Sequence, residues 1–242
     1  MADYHQKVAE SYCAKKVAGL HDAQNKEIGL LKQSKRESEI PAVLEKYRKL
    51  KEEYSVPKHL TYLEGTEAQE YLEDMYAAQK FAEVNRSFMA EAIAGHLGLN
   101  YKHLTSFITV HNYIDPEDKV IRKGAIRALQ DEVVIIPINM KVGSILAKGK
   151  GNVDWNNSAP HGAGRLMSRS EAKAKLDLGS FEQIMEGVWT TSVGDDTLDE
   201  APDAYKPVEE ILANIDGTVD VLAVLKPRYN FKSSKKHNQI KG

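Results

Sequence analysis

Cysteine is nearly missing from this chain: Cys13 is the only one in 242 residues. An intramolecular disulfide and a zinc cluster built on cysteines are thereby excluded. No uninterrupted apolar run approaches the ~18 to 20 residues that span a bilayer, so a membrane protein is not expected. The N-terminus, MADYHQKVAE, has no apolar core of the signal-peptide kind, which predicts a cytoplasmic chain. Aromatic residues make up only 7%, and no internal repeat or low-complexity tract occurs. What remains is ordinary globular composition, 42% hydrophobic and 28% charged, at a length that suits one large domain or two small ones.

The net charge of −2 hides a partition. Residues 119–175 carry 11 basic and 4 acidic residues, a balance of +7, whereas residues 176–220 carry 1 basic and 12 acidic, a balance of −11. The last stretch, 221–242, holds 6 basic residues and no acidic one. Basic stretches of this kind can face an anionic ligand, although charged faces are more often merely solvated.

The sequence predicts an α+β protein, with a helical portion over 1–100 followed by an α+β portion over 101–242. Residues 2–18 lack glycine and proline, and PAVLEKYRKLKEEY (41–54) opens with a proline suited to a first helical turn. Thr66 and Gln69 have the spacing of a capping box, and no breaker follows until Gly95. A helix from Glu67 to about His96 is expected, with an apolar stripe of Tyr71, Met75, Ala78, Phe81, Ala82, Phe88 and Met89. Beyond Gly98, TSFITV (105–110), EVVIIPI (132–138), SILA (144–147) and VDVLAVL (219–225) read as strands, the last of them buried. The glycine- and asparagine-rich run 149–165 reads as loop. Capping boxes at Ser168/Glu171 and Ser180/Gln183 start two helices, Pro207 opens another to about Ile215, and the tail after Pro227 reads as basic and loose at its end.

The stretch richest in chemistry is SAPHGAGR, Ser158 to Arg165. Glycines let backbone amides approach a phosphate, and the arginine adds a fixed positive fork. An imidazole can attack a phosphorus centre and form a labile P–N bond. The helix N-terminus expected at Ser168 also favours anions. A tight turn with a solvent-exposed His161 is the structural alternative. His111, at a strand end before Asn112, suits metal ligation or general-base work, though a lone histidine is more often structural. Ile138-Asn139-Met140 with Ser144 offers amide and hydroxyl groups to a purine edge. RKGAIRA (122–128) could hold phosphates or solvate a strand edge. DEAPDAYK (199–206) reads as a structural turn ahead of the Pro207 helix. The remaining histidines show no ligand spacing, and Cys13 is expected as a small buried apolar residue.

Taken in order, HNYID (111–115), RKGAIRA, IPINMKVGS (136–144), GKGN (149–152), SAPHGAGRLMSR (158–169), DEAPDAYK and KPRYNFK (226–232) resemble the RtcB-type RNA-splicing ligases, and Asn85-Arg86 extends the likeness upstream. The resemblance implies an enzyme of RNA repair or tRNA splicing. Such enzymes join an RNA 3′-phosphate or 2′,3′-cyclic phosphate end to a 5′-hydroxyl end, using GTP and Mn²⁺. It implies that His161 attacks the α-phosphate of GTP and becomes guanylylated; GMP then passes to the RNA 3′-phosphate and is displaced by the 5′-hydroxyl. By the same likeness His111 is a manganese ligand with Asn112 beside the nucleotide. Pro137, Ile138, Asn139, Met140, Ser144, Gly162, Ala163 and Gly164 line the guanosine site, and Lys232 contacts the guanine.

The pattern departs from the family in two respects. An aspartate–cysteine metal motif, a GGGNH segment and an HSGSRG segment, which supply most of the family's manganese ligands, are all missing from this sequence. Ile138 stands where the family usually has a small residue after the strand-turn proline. The expectation is therefore the C-terminal part of a ligase, from a truncated or split gene or a misassigned start, active only with the half that carries those motifs, whether or not that half is a separate chain. The alternative is a non-catalytic RNA- or nucleotide-binding remnant.

Overall fold

A computed structural model describes residues 2–232, and the expected loose end of the basic tail lies outside them. The chain divides after His96 into two compact units, and the class is α+β, as expected from the sequence.

The first unit is helical. Helix α1 (Ala2–Gln33) continues past Gly19 and Gly29, well beyond the expected end at residue 18. Neither glycine meets a neighbour within 4 Å, so each costs the helix only its propensity, about 1 kcal/mol. The helix stops where Lys35 takes a left-handed φ of 58°. There the Arg36 N–H bonds the Leu31 carbonyl and the Lys35 N–H bonds the Lys32 carbonyl, which is the Schellman pattern. Helix α2 (Ile40–Tyr54) has Pro41 in its first turn, as expected, and packs on α1 through Val43 and Tyr47. Helix α3 (Gly65–His96) has the expected extent. His5 of α1 bonds Asp74 of α3, while Tyr12 and the buried Cys13 thiol of α1 bond Glu64 and the Tyr62 carbonyl in the segment just ahead of α3. The expected apolar stripe does not face a core: Phe81, Phe88 and Met89 are exposed, and Ala94 is the buried residue of this helix. At about 48 Å, α3 outruns the shorter α2.

The second unit holds two antiparallel sheets. One is β1 (His111–Ile114), β2 (Ile121–Arg127) and β5 (Ser158–Pro160), in that order. The other is β3 (Val133–Asn139), β4 (Gly143–Gly149) and β7 (Val219–Leu225). A short parallel pair, β6 (Trp189–Thr190) and β8 (Tyr229–Asn230), lies apart. Helices α4 (Arg169–Lys175), α5 (Leu178–Ile184) and α6 (Val208–Ile215) complete the unit. Ile126, Val134, Ile136, Ile138, Ile145, Ala147, Ala159, Ile211, Ile215 and Val219 meet in one core, so both sheets and α6 share it. A second cluster joins Met140, Phe181, Met185, Leu198 and Ala201.

Four sequence expectations are corrected. TSFITV is not a strand: Thr109 accepts the Ile135 N–H through its hydroxyl rather than its backbone, and propensity without backbone pairing is weak. Strand β7 is present but exposed after Val219, because it is the outer strand of its sheet. Helix α5 is capped by Asp177, whose carboxylate accepts the Ser180 N–H, and not by Ser180. Strand β2 is the central strand of its sheet, so RKGAIRA solvates no edge, and its two arginines are committed to protein carboxylates. Ser168 caps α4 as expected, and Pro207 precedes α6.

Candidate active site

Strand β1 begins at His111, and the register slips between His111 and Tyr113. That bulge puts Asn112 in the left-handed region, φ 58°, which asparagine tolerates better than most residues. Its side-chain oxygen accepts the Gly124 N–H of β2 at 2.8 Å. Gly124 has φ 71°, and a Cβ there would sit 3.5 Å from the His161 ring. The Gly124 carbonyl faces His161 Nδ1 at 2.7 Å. A carbonyl can only accept, so Nδ1 carries the proton. In the neutral ring the lone pair is therefore left on Nε2. The His111 ring lies 4.8 Å from the His161 ring, centroid to centroid, tilted by 42°. Gly124 thus ties Asn112 and His161 together and leaves His161 with one nucleophilic nitrogen.

These histidines open on a cleft of about 810 Å³. The β3–β4 hairpin forms one wall. Its turn is closed by Asn139, whose side-chain oxygen accepts the Lys141 and Val142 N–H groups. Gly143, φ 93°, is needed there because a Cβ would fall 2.0 Å from the Leu225 carbonyl oxygen. Pro137 pairs with Ser144 on an outer strand, where its missing N–H is tolerated. The glycine turn 162–164 forms the facing wall, and a Cβ on Gly162 would press within 3.1 Å of the Pro137 carbonyl oxygen.

The third wall is charged. Glu200 accepts from the Tyr205 hydroxyl at 2.9 Å, pairs with Arg169 at 2.7 Å and pairs with Lys232 at 3.1 Å. Burial pushes the Glu200 carboxyl up, but Lys232, Tyr205 and Arg169 outweigh it and hold the group below its ordinary range. Tyr205 is pushed up to about 12 by burial and by its bond to Glu200. The Asp199 carboxyl is also raised by burial, and Arg169 and Lys173 bring it below its usual value. Arg165 bonds the Tyr205 hydroxyl and stacks its guanidinium over that ring at 4.9 Å.

Of the residues singled out in the sequence, His111, His161, Pro137, Ile138, Asn139, Met140, Ser144, Gly162, Ala163, Gly164 and Lys232 all line this cleft. Asn112 lies behind it, on the Gly124 amide. The side chains of Ile138, Met140 and Ala163 are buried in the two cores. Ile138 sits at the register slip beside Pro137, and Asn139 closes the turn after it. Sequence reasoning did not single out Gly124, Arg169, Glu200, Tyr205 or Asn230, whereas Arg165, the expected positive fork, does line the cleft. Glu200 and Tyr205 belong to DEAPDAYK, read there as a structural turn. The available signal was the acidic stretch following the basic one: Arg165, Arg169 and Lys173 of the +7 stretch pair with Asp199 and Glu200 of the −11 stretch.

The residues present do not by themselves fit a two-metal centre. Among the described residues no three His, Cys, Asp or Glu side chains converge as a metal site. The two histidines near each other are His111 and His161, and a metal ion needs about four or more donors. Among the described residues no helix is long and apolar enough to cross a membrane.

Comparison with known proteins follows the same residues. The family model described as tRNA-splicing ligase RtcB matches residues 31–233. The RNA-splicing ligase RtcB of Escherichia coli K12 is 32% identical over 182 residues, covering 68% of this chain and 44% of that protein. The tRNA-splicing ligase RtcB of Aeropyrum pernix is 30% identical over 201 residues, covering 66% and 41%. That of Nanoarchaeum equitans is 29% identical over 206 residues, covering 67% and 42%. The chain spans less than half the length of these relatives. With its matched region containing the whole histidine cleft, the chain belongs to the RtcB family of tRNA-splicing ligases.

Proposed function

We propose that this chain is the guanylyl-accepting part of a cytoplasmic RNA ligase that joins RNA 3′-phosphate or 2′,3′-cyclic phosphate ends to 5′-hydroxyl ends. The observation that carries the reading is the 2.7 Å contact between His161 Nδ1 and the Gly124 carbonyl. It leaves the Nε2 lone pair of a neutral His161 free beside the cleft. His161 Nε2 would attack the α-phosphorus of GTP: the P–N bond forms, the P–O bond to the β-phosphate breaks, and pyrophosphate leaves. The RNA 3′-phosphate oxygen would then displace His161 from the same phosphorus, regenerating the ring, and the 5′-hydroxyl would displace GMP.

The remaining residues take roles in binding. Ser144, Asn139 and the Gly162–Gly164 backbone would hold the guanosine, with Pro137, Ile138, Met140 and Ala163 shaping the walls. Lys232 would exchange its Glu200 contact for the guanine edge. Asn112 holds Gly124 and, through it, the ring of His161. His111 would give one donor to manganese, and the other donors would come from the N-terminal half that carries the family's metal motifs. Bound there, manganese would neutralise phosphate charge.

A second reading, a non-catalytic RNA- or nucleotide-binding remnant, is favoured by one observation, the lack of a three-donor group among the described residues. Label transfer from α-labelled GTP in the presence of Mn²⁺ separates the two. The enzyme reading expects protein-bound label that His161→Ala abolishes. If no label forms even when the N-terminal half of a family member is supplied, the remnant reading holds.

A further inference from the structure

We infer that a second cavity, walled by β2 and Trp155, seats a base of the single-stranded RNA whose end is worked on at His161. The inference rests on the RNA-ligase reading above. The cavity measures about 580 Å³ and is separate from the histidine cleft. The two share a wall. Gly124 and Pro160 line the second cavity; Gly124 carries the carbonyl bonded to His161, and Pro160 immediately precedes His161 in the chain.

Its chemistry suits a nucleotide base. Trp155 is 62% exposed although it is the largest apolar side chain on the rim. Ile121, 74% exposed, lies on the same cavity wall. Gly217 leaves room beside the indole, since a Cβ there would reach only to 4.0 Å of the ring nitrogen. An exposed indole is a stacking platform for any base, because every base has a π-face.

The charge around the cavity points the same way. No Asp or Glu lines it, and its two cations are Arg122 and Lys123. The Arg122 guanidinium is consumed by Asp115, Asp118, Ser158 and the Asn156 carbonyl. Lys123 makes no ion pair among the described residues and is exposed. Most cations of the +7 stretch are already neutralised by protein carboxylates: Arg127 by Glu132, Lys150 by Asp216 and Asp220, Arg169 by Asp199 and Glu200. Lys123 is an exception, and it stands at the mouth of the cavity that offers an aromatic face. A cation for the backbone beside a ring for the base is the pairing that single-stranded nucleic acid needs.

The test uses intrinsic fluorescence of the full chain, without GTP or Mn²⁺. The chain has two tryptophans, so Trp189→Phe leaves Trp155 as the sole reporter. A short single-stranded RNA with a 3′-phosphate should quench it saturably, and GMP alone should not. Trp155→Ala should weaken RNA binding about 5- to 150-fold, the range expected for one lost base stack, and Trp155→Phe should restore most of it. Lys123→Gln should flatten the salt dependence of log Kd by about 0.7, the contribution of one single-strand phosphate. No quenching, equal quenching by GMP, or binding unchanged in Trp155→Ala would overturn the inference. His161-dependent label without Trp155 quenching would defeat the cavity and leave the ligase reading intact. Quenching without label, even with the N-terminal half of a family member supplied, would do the reverse.

Discussion

Arg122 and Glu200 each sit at the centre of a knot of opposite charges, and the two knots are built for different purposes. Arg122 is fully buried under the β1–β2–β5 sheet, with Asp115 and Asp118 each 3.1 Å from its guanidinium, the Ser158 hydroxyl at 3.0 Å and the Asn156 carbonyl at 3.0 Å. Every polar partner is protein. Glu200 instead faces the histidine cleft, and its partners Arg169 and Lys232 are themselves partly exposed. One knot cements the loop that leads to His161; the other lies on the wall of the histidine cleft. Buried charges are costly to orphan, whereas a rim pair can exchange partners with a ligand. The comparison teaches that the charge partition of the sequence is largely spent inside the protein, so the overall +7 of residues 119–175 overstates what is available to an RNA.

The sharpest way to break the comparison is to orphan the buried knot. Arg122→Ala leaves Asp115 buried without its main cation, and a loss of about 3 to 5 kcal/mol of stability is expected in denaturant unfolding. A loss no larger than that of Glu200→Gln would mean the two knots are equivalent. Glu200→Gln should cost less, about 1 to 3 kcal/mol, the range for one lost charged hydrogen bond.

Glu200 also carries a pH signature. Its folded carboxyl titrates below its unfolded value, so its stabilising effect is complete above the ordinary carboxylate range and is lost as pH falls through the lower folded value. The melting temperature of the native chain should therefore drop more steeply between pH 5 and pH 3 than that of Glu200→Gln; parallel curves would remove Glu200 from the account. Gly124→Ala forces a side chain onto a left-handed backbone, at about 1 to 2 kcal/mol. Its label transfer from GTP should fall further than stability does, because the carbonyl that orients His161 moves. The smallest effect is expected for Asn112→Ala, which removes one bond to the Gly124 N–H, about 0.5 to 1.5 kcal/mol; intact label transfer with unchanged melting would sever Asn112 from the site.

Much of the site was legible in the sequence because its residues lie in short runs of unusual composition. HGAGR and the β3–β4 strand-turn were readable as local chemistry, and the structure brings them to one cleft. Glu200 was not legible, since its partners Arg165, Arg169 and Lys232 lie 31 to 35 residues away and nothing local announces the meeting. Gly124 was equally silent: its importance is a backbone carbonyl, which every residue has. In the fold, the helices with clear caps and prolines were readable, including the Pro41 start and the Ser168 cap. TSFITV and the apolar pattern of α3 misled because propensity and periodicity describe what a segment can bury and say nothing of whether a partner is there.

The central claim is that the Gly124 carbonyl fixes the proton of His161 on Nδ1 and frees Nε2. Nitrogen-15 NMR of the histidine rings, with His161→Gln for assignment, reads this directly. In the neutral ring of His161 the account predicts a protonated Nδ1 and a bare Nε2. A neutral ring protonated on Nε2, or a rapid mixture of both tautomers, would contradict it.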